Sequence, residues 1–246
     1  MPPMSDAPTS PPIAWVAGAT GYTGHEVVRA LRERGVSVHA HVRPDSSRLA
    51  EWSDRFTAIG AQVEATPWTD DDQIAALARV RPTMVFALLG TTQRRARAAA
   101  QAGAPAADYA AVDVGLTLML LRAALAAGTR PRFVYLSSLG VGPDARGAYL
   151  QARWQVEEAL RASGLPFTIA RPSFITGPDR EESRPAERIA SIVGDAALGA
   201  LALVGARRLH ARYRSNTAQG LARALVRLAA DPAAEGKVVL AEDLHG

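Results

Sequence analysis

The stretch Ile13-Ala-Trp-Val-Ala-Gly18-Ala-Thr-Gly21-Tyr-Thr-Gly24 decides the fold. Its first five residues form an apolar run of strand length, and three glycines follow in a tight cluster. From His25 to Arg34 the apolar residues Val27, Val28 and Leu31 share one helix face. Gly35 then reads as a helix stop, and Val36 to Val42 alternates as a second strand. In a strand, turn, helix unit of this kind, backbone N–H groups and the positive end of the helix face a pyrophosphate. Gly18 makes the turn, Gly21 permits close approach, and Gly24 lets the helix pack on the strand, with Thr20, Tyr22 and Thr23 completing the dinucleotide-binding loop.

Working outward, the alternation repeats. A weaker strand is expected around Ala61 to Ala65, a helix over Asp70 to Val80, a buried strand from Thr83 to Leu89, and a helix near Gln93 to Ala102. Val114, Leu118, Leu121 and Leu125 predict a helix from Val112 to Ala127, closed by Gly128. Arg132 to Leu136 reads as a strand, Ala148 to Ser163 as a helix, and Phe167 to Ala170 as a strand. Asn216-Thr-Ala-Gln219 has the N-cap and N3 pattern of a helix running to about Ala230, and a last strand is expected from Lys237 to Ala241. Strands alternating with helices imply an α/β fold with a doubly wound, mostly parallel sheet, the Rossmann arrangement. Residues 13–246 read as a single domain in which 182–246 includes a small substrate-side lobe, and residues 1–12 read as a loose tail.

The tip of the second strand bears on which dinucleotide binds. An acid there would hold the 2′-hydroxyl of NAD, whereas an arginine accommodates the 2′-phosphate of NADP. The tip reads His41-Val-Arg43-Pro-Asp45-Ser-Ser-Arg48, with no carboxylate before Asp45. Arg43 is placed to fork onto a phosphate, which favours NADP(H) over NAD(H).

Composition excludes several classes. There is no cysteine, so disulfide and thiolate chemistry are absent. The histidines lack ligand spacing, and no metal site is expected. The 28 basic residues are scattered among 24 acidic ones rather than gathered in a block, against a nucleic-acid partner. The longest apolar run, Ala196 to Ala206, is far short of the roughly 20 residues that span a bilayer. The proline-rich beginning carries no positive charge before its first apolar run, unlike a signal or transit peptide, so the expectation is a cytoplasmic chain acting on a small molecule.

With the glycine turn, the His41-Val-Arg-Pro44 tip, Leu136-Ser-Ser138 and Tyr149-Leu-Gln-Ala-Arg153, the chain resembles the atypical short-chain dehydrogenase/reductases. It looks closest to their NAD(P)H-binding branch, which includes NmrA-like regulators and Tat-interacting-protein-like oxidoreductases. The resemblance extends from Ile13 to Gly177 and takes in Leu89-Gly-Thr-Thr92 and Arg171-Pro-Ser-Phe-Ile-Thr-Gly177. It implies that Leu89, Gly90 and Pro172 also line the cofactor, and that Ser138, Tyr149 and the position of Arg153 form the catalytic set. Arg153 would then also hold the nicotinamide ribose. The family pattern has lysine where this chain has Arg153. The implied activity is NADP(H)-dependent hydride transfer to or from a carbonyl, with two rivals: a regulator that senses NADP(H) without turnover, and an isomerase or dehydratase that recycles bound cofactor.

Overall fold

The computed structural model describes residues 11–90, 106–173, 175–176 and 216–244. The strands are β1 (Ile13–Ala17), β2 (Ser37–His41), β3 (Gln62–Glu64), β4 (Met84–Ala87), β5 (Arg132–Leu136), β6 (Phe167–Arg171), β7 (Ile175–Thr176), β8 (Asn216–Thr217) and β9 (Lys237–Leu240). The helices are α1 (Gly24–Glu33), α2 (Leu49–Ala58), α3 (Asp70–Val80), α4 (Ala106–Ala126), α5 (Ala148–Ala162) and α6 (Ala218–Ala230). Seven strands form one sheet in the order β3-β2-β1-β4-β5-β6-β9, every neighbouring pair parallel. This is the doubly wound order, in which the chain leaves β1 one way and β4 the other, opening a crevice between their carboxyl ends.

The central strands read as unbroken apolar runs because helices cover both faces. On one face Val16, Ala40 and Phe86 pack with Val27, Val28 and Leu31 of α1, Trp52 and Phe56 of α2, and Leu221 and Leu225 of α6. On the other, Trp15, Val85, Phe133 and Ile169 pack with Leu77 of α3, Leu120 and Ala124 of α4, and Val156 and Leu160 of α5. Gly35 (φ +74°) does stop α1: its own N–H and that of Val36 return to the Arg32 and Leu31 carbonyls.

The structure departs from the sequence expectations in three places. Helix α2 is absent from them, although Leu49, Trp52 and Phe56 carry its spacing. Helix α4 begins at Ala106, six residues before the expected Val112. The cap of α6 is Thr217, whose hydroxyl accepts from Gly220 N–H at 3.1 Å, and not Asn216; both residues pair with β7, Asn216 with Ile175 and Thr217 with Thr176. Within the stretch expected to include a substrate-side lobe, α6 packs on α1 and β9 closes the main sheet. The helix expected near Gln93 to Ala102, the apolar run from Ala196, and most of residues 1–12 lie outside the described residues.

Candidate functional site

Two groups of residues flank the crevice, one on the β1–α1 turn and one where α5 crosses the ends of β4 and β5. At the turn, Gly18 has φ +81°, and a Cβ there would lie 2.6 Å from the Leu88 carbonyl oxygen. Chain direction and space both demand glycine. A Cβ on Gly24 would overlap the Gly18 carbonyl itself. Gly21 differs: its Cβ would touch only the Gly18 oxygen, at 3.1 Å, with nothing else of the protein within 4 Å. The turn closes through Gly21 N–H donating to the Gly18 carbonyl at 2.9 Å.

Helix α1 begins here with Thr23 at its N-cap and no side chain capping it. The positive dipole end of α1 therefore lies at the turn, the arrangement of an anion site. Thr20 and Tyr22 are partly exposed beside it, and Thr23 is buried. His25 was not foreseen as part of the turn. Its Nδ1 donates to the Gly21 carbonyl at 2.9 Å, which fixes the tautomer, and its ring lies 6.1 Å from that of Trp52. The space left open beyond Gly21, at the start of α1, suits the pyrophosphate of a dinucleotide.

Arg43 stands exposed at the tip of β2, with Nη1 3.3 Å from an Asp45 carboxylate oxygen. So loose and solvated a pair is worth little and yields readily to a phosphate.

On the other side, Leu89, Asp113, Val114, Thr117, Tyr135, Tyr149, Ala152 and Arg153 line a pocket between α4 and α5. Tyr149 and Arg153 lie four residues apart on one face of α5, the guanidinium 4.8 Å from the Tyr149 ring centre. Tyr149 is half exposed, whereas Arg153 is only 9% exposed. Arg153 Nη1 donates to the Leu136 carbonyl at 2.6 Å and to the Tyr135 hydroxyl at 3.3 Å, and Nε is buried without a partner. Burial disfavours the guanidinium charge, but the phenols of Tyr135 and Tyr149 outweigh it and raise its pKa. Tyr135 is pushed up to about 12, chiefly by burial, and stays neutral. Asp113, which also lines the pocket, adds its charge in favour of the cation, and a cation held at this crevice suits an anionic cofactor. Gly90 belongs here too, since a Cβ on it would lie 3.3 Å from Arg153 Nη2.

Ser138 sits beyond the end of β5 on a pinned backbone: Ser137 N–H donates to Ala170 at 2.8 Å and Leu139 N–H to the buried Pro172 at 2.9 Å. Its hydroxyl donates to the Leu139 carbonyl at 3.4 Å. Ser138 is not among the residues lining the pocket of Tyr149 and Arg153.

The neighbouring Ser137 is committed elsewhere. Its hydroxyl donates to Glu157 at 2.6 Å, and Glu157, fully buried on α5, also accepts from Arg171 Nε at 2.9 Å, Arg171 Nη2 at 2.6 Å and Arg161 Nη2 at 2.8 Å. Burial alone would raise the Glu157 pKa; Arg171, Ser137 and Arg161 together hold it below the ordinary carboxylate range. This clamp fixes α5 against the ends of β5 and β6. Sequence reasoning missed Tyr135 and Glu157. The available signal for Glu157 is a carboxylate between Val156 and Leu160, four residues past Arg153.

The histidines are otherwise engaged, with His39 Nδ1 2.8 Å from Glu64 and His41 Nε2 2.8 Å from the Thr66 carbonyl. Burial lowers the His41 pKa. Among the described residues no group of three metal-ligating side chains occurs and no helix is long and apolar enough to cross a membrane. His210, His245 and the arginines at 94, 95 and 97 lie outside the described residues.

Comparison with known proteins identifies the family and the fold. The family model described as NAD(P)H-binding matches residues 18–196. The protein fmp52, mitochondrial, of Aspergillus fumigatus is 33% identical over 187 residues, covering 72% of this chain and 74% of that one. Its namesake in Emericella nidulans is 37% identical over 178 residues, 70% of each chain. Pinoresinol reductase 1 of Arabidopsis thaliana is 25% identical over 163 residues, 62% of this chain and 46% of that one. Among solved structures, a putative NAD-dependent epimerase/dehydratase from Bacillus halodurans superposes with a TM-score of 0.64 at 18% identity, covering 94% of this chain and 97% of that one. The chain belongs to the NAD(P)H-binding family of atypical short-chain dehydrogenase/reductases.

Proposed function

We propose that this protein is an NADP(H)-dependent oxidoreductase that moves hydride to or from the carbonyl carbon of a small molecule. The observation that carries the reading is the buried guanidinium of Arg153 beneath the half-exposed ring of Tyr149, in the crevice that the glycine turn also faces. Gly18 to Gly24 would hold the pyrophosphate, Arg43 the 2′-phosphate, and Leu89, Gly90, Arg153 and Pro172 the nicotinamide end. The bound cofactor supplies or accepts the hydride. Tyr149 Oη gives a proton to the substrate oxygen during reduction and takes it back during oxidation, and Ser138 Oγ donates a hydrogen bond to that oxygen. Arg153 sets its guanidinium against the ring of Tyr149.

Its guanidinium does not release a proton at working pH, so proton exchange at Tyr149 runs through solvent, which reaches that half-exposed phenol. The same property supports the rival reading of an NADP(H)-sensing regulator without turnover. The test is NADPH oxidation across a panel of aldehydes, ketones and quinones. Turnover that Tyr149→Phe abolishes while NADPH still binds supports the proposal. An inert wild-type protein that binds NADPH favours the regulator, and full activity in Tyr149→Phe removes Tyr149 from the site.

A further inference from the structure

The arginine of the crevice is seated by groups that fit a guanidinium better than an ammonium. Nη1 spans two acceptors on the same strand end, the Leu136 carbonyl at 2.6 Å and the Tyr135 hydroxyl at 3.3 Å. The ring of Tyr149 lies over the ion at 4.8 Å, and that of Tyr135 at 5.9 Å. On the remaining side the chain narrows to Gly90, where even a methyl group would stand 3.3 Å from Nη2. Tyr135 is 2% exposed, and its hydroxyl has Arg153 as donor. A planar ion with several fixed donors fits between two aromatic rings and two oxygens, whereas an ammonium is a strongly hydrated point charge on a flexible four-carbon stem.

We propose that Tyr135 is a positioning residue which, with the Leu136 carbonyl and Gly90, forms a seat shaped for a guanidinium. Arginine at position 153 is thus built into this crevice rather than exchangeable with lysine. Replacing it by lysine alone leaves the buried Tyr135 hydroxyl without its donor, and an unsatisfied buried hydroxyl is costly. Removing that hydroxyl at the same time relieves the cost. The inference rests on the crevice taking a dinucleotide and is independent of turnover.

The experiment compares wild type, Arg153→Lys, Tyr135→Phe and the double variant by melting temperature without cofactor and by NADPH affinity. Arg153→Lys is expected to lower the melting temperature by about 3 °C or more, and Tyr135→Phe in that background to restore most of the loss. Tyr135→Phe alone is expected to weaken NADPH binding about three- to tenfold, because the guanidinium loses one of its two anchors. An equal loss of melting temperature from Arg153→Lys in both backgrounds would overturn the seat, as would unchanged NADPH affinity in Tyr135→Phe. If Arg153→Lys does not fold, folding of the double variant supports the seat. If neither folds, the affinity of Tyr135→Phe decides. Absence of turnover in all four proteins would strike the oxidoreductase reading and leave the seat standing.

Discussion

The two sides of the crevice are built on different principles. At the glycine turn almost everything is backbone: carbonyls, N–H groups and missing side chains, with one histidine holding the Gly21 carbonyl in place. On the side of α5 almost everything is side chain, with a buried cation between two phenols and, one helical turn on, a buried carboxylate serving three donor residues. The first arrangement fails when atoms are added, and the second fails when charges or donors are removed. That contrast is what mutation can break.

The largest effect is expected at Gly24. Gly24→Val forces a branched side chain into the Gly18 carbonyl, and the loss should reach about 3 kcal/mol or more, read as a collapsed urea midpoint or as insoluble protein. A fully stable Gly24→Val protein would mean that α1 does not approach β1 as closely as described.

Next is Glu157→Gln, which keeps the shape of the clamp and removes its charge beneath Arg161 and Arg171. Breaking one partner of a buried pair costs on the order of 3–5 kcal/mol. The sign with pH follows from the lowered Glu157 pKa. Its stabilisation is present above the unfolded carboxylate value, roughly 4.3, and is lost as pH falls through the folded value. Wild-type stability should therefore fall on acidification below about pH 5, and Glu157→Gln should show a shallower slope in denaturation titrated from pH 7 to 2.

Gly21→Val sharpens the contrast within the turn. Only one protein atom lies near its Cβ, so the fold should lose little, about 1 kcal/mol, while NADPH affinity falls at least about a hundredfold as the side chain fills the space meant for the pyrophosphate. Calorimetry on the folded variant reads this, and unchanged affinity would move the cofactor off the turn. The smallest effect is expected at the exposed tip, where Arg43→Ala should remove most of a preference for NADPH over NADH of about ten- to a hundredfold. Equal affinities in the wild type would take Arg43 out of cofactor choice.

Much of this is legible in the sequence, because parallel sheets bury their strands on both faces. That makes β1 and β4 continuous apolar runs and leaves β5 and β6 predominantly apolar, and glycines with a steric reason mark the β1–α1 turn. Helix α2 escaped reading because its three core residues, Leu49, Trp52 and Phe56, sit among exposed charges directly after a tip being read for its phosphate chemistry. The cap of α6 falls one residue later than the local pattern reads because the short parallel pairing of Asn216 and Thr217 with β7 carries the extended chain through Asn216, and no local rule contains that partner.

The same division holds for the site. Gly18, Gly21 and Gly24 announce themselves because their chemistry is local: chain direction and close approach within seven residues. Resemblance points to Ser138, Tyr149 and Arg153; the tertiary structure sets Tyr149 and Arg153 against one pocket and ties Ser137, the serine beside Ser138, to Glu157. Tyr135 and Glu157 meet their partners from elements 14 to 20 residues away. Burial is what gives those meetings their weight, since an arginine, a phenol and a carboxylate cost little on a surface and much inside. Sequence supplies the groups and their order along the chain; packing α5 across the ends of β5 and β6 decides which of them must satisfy one another.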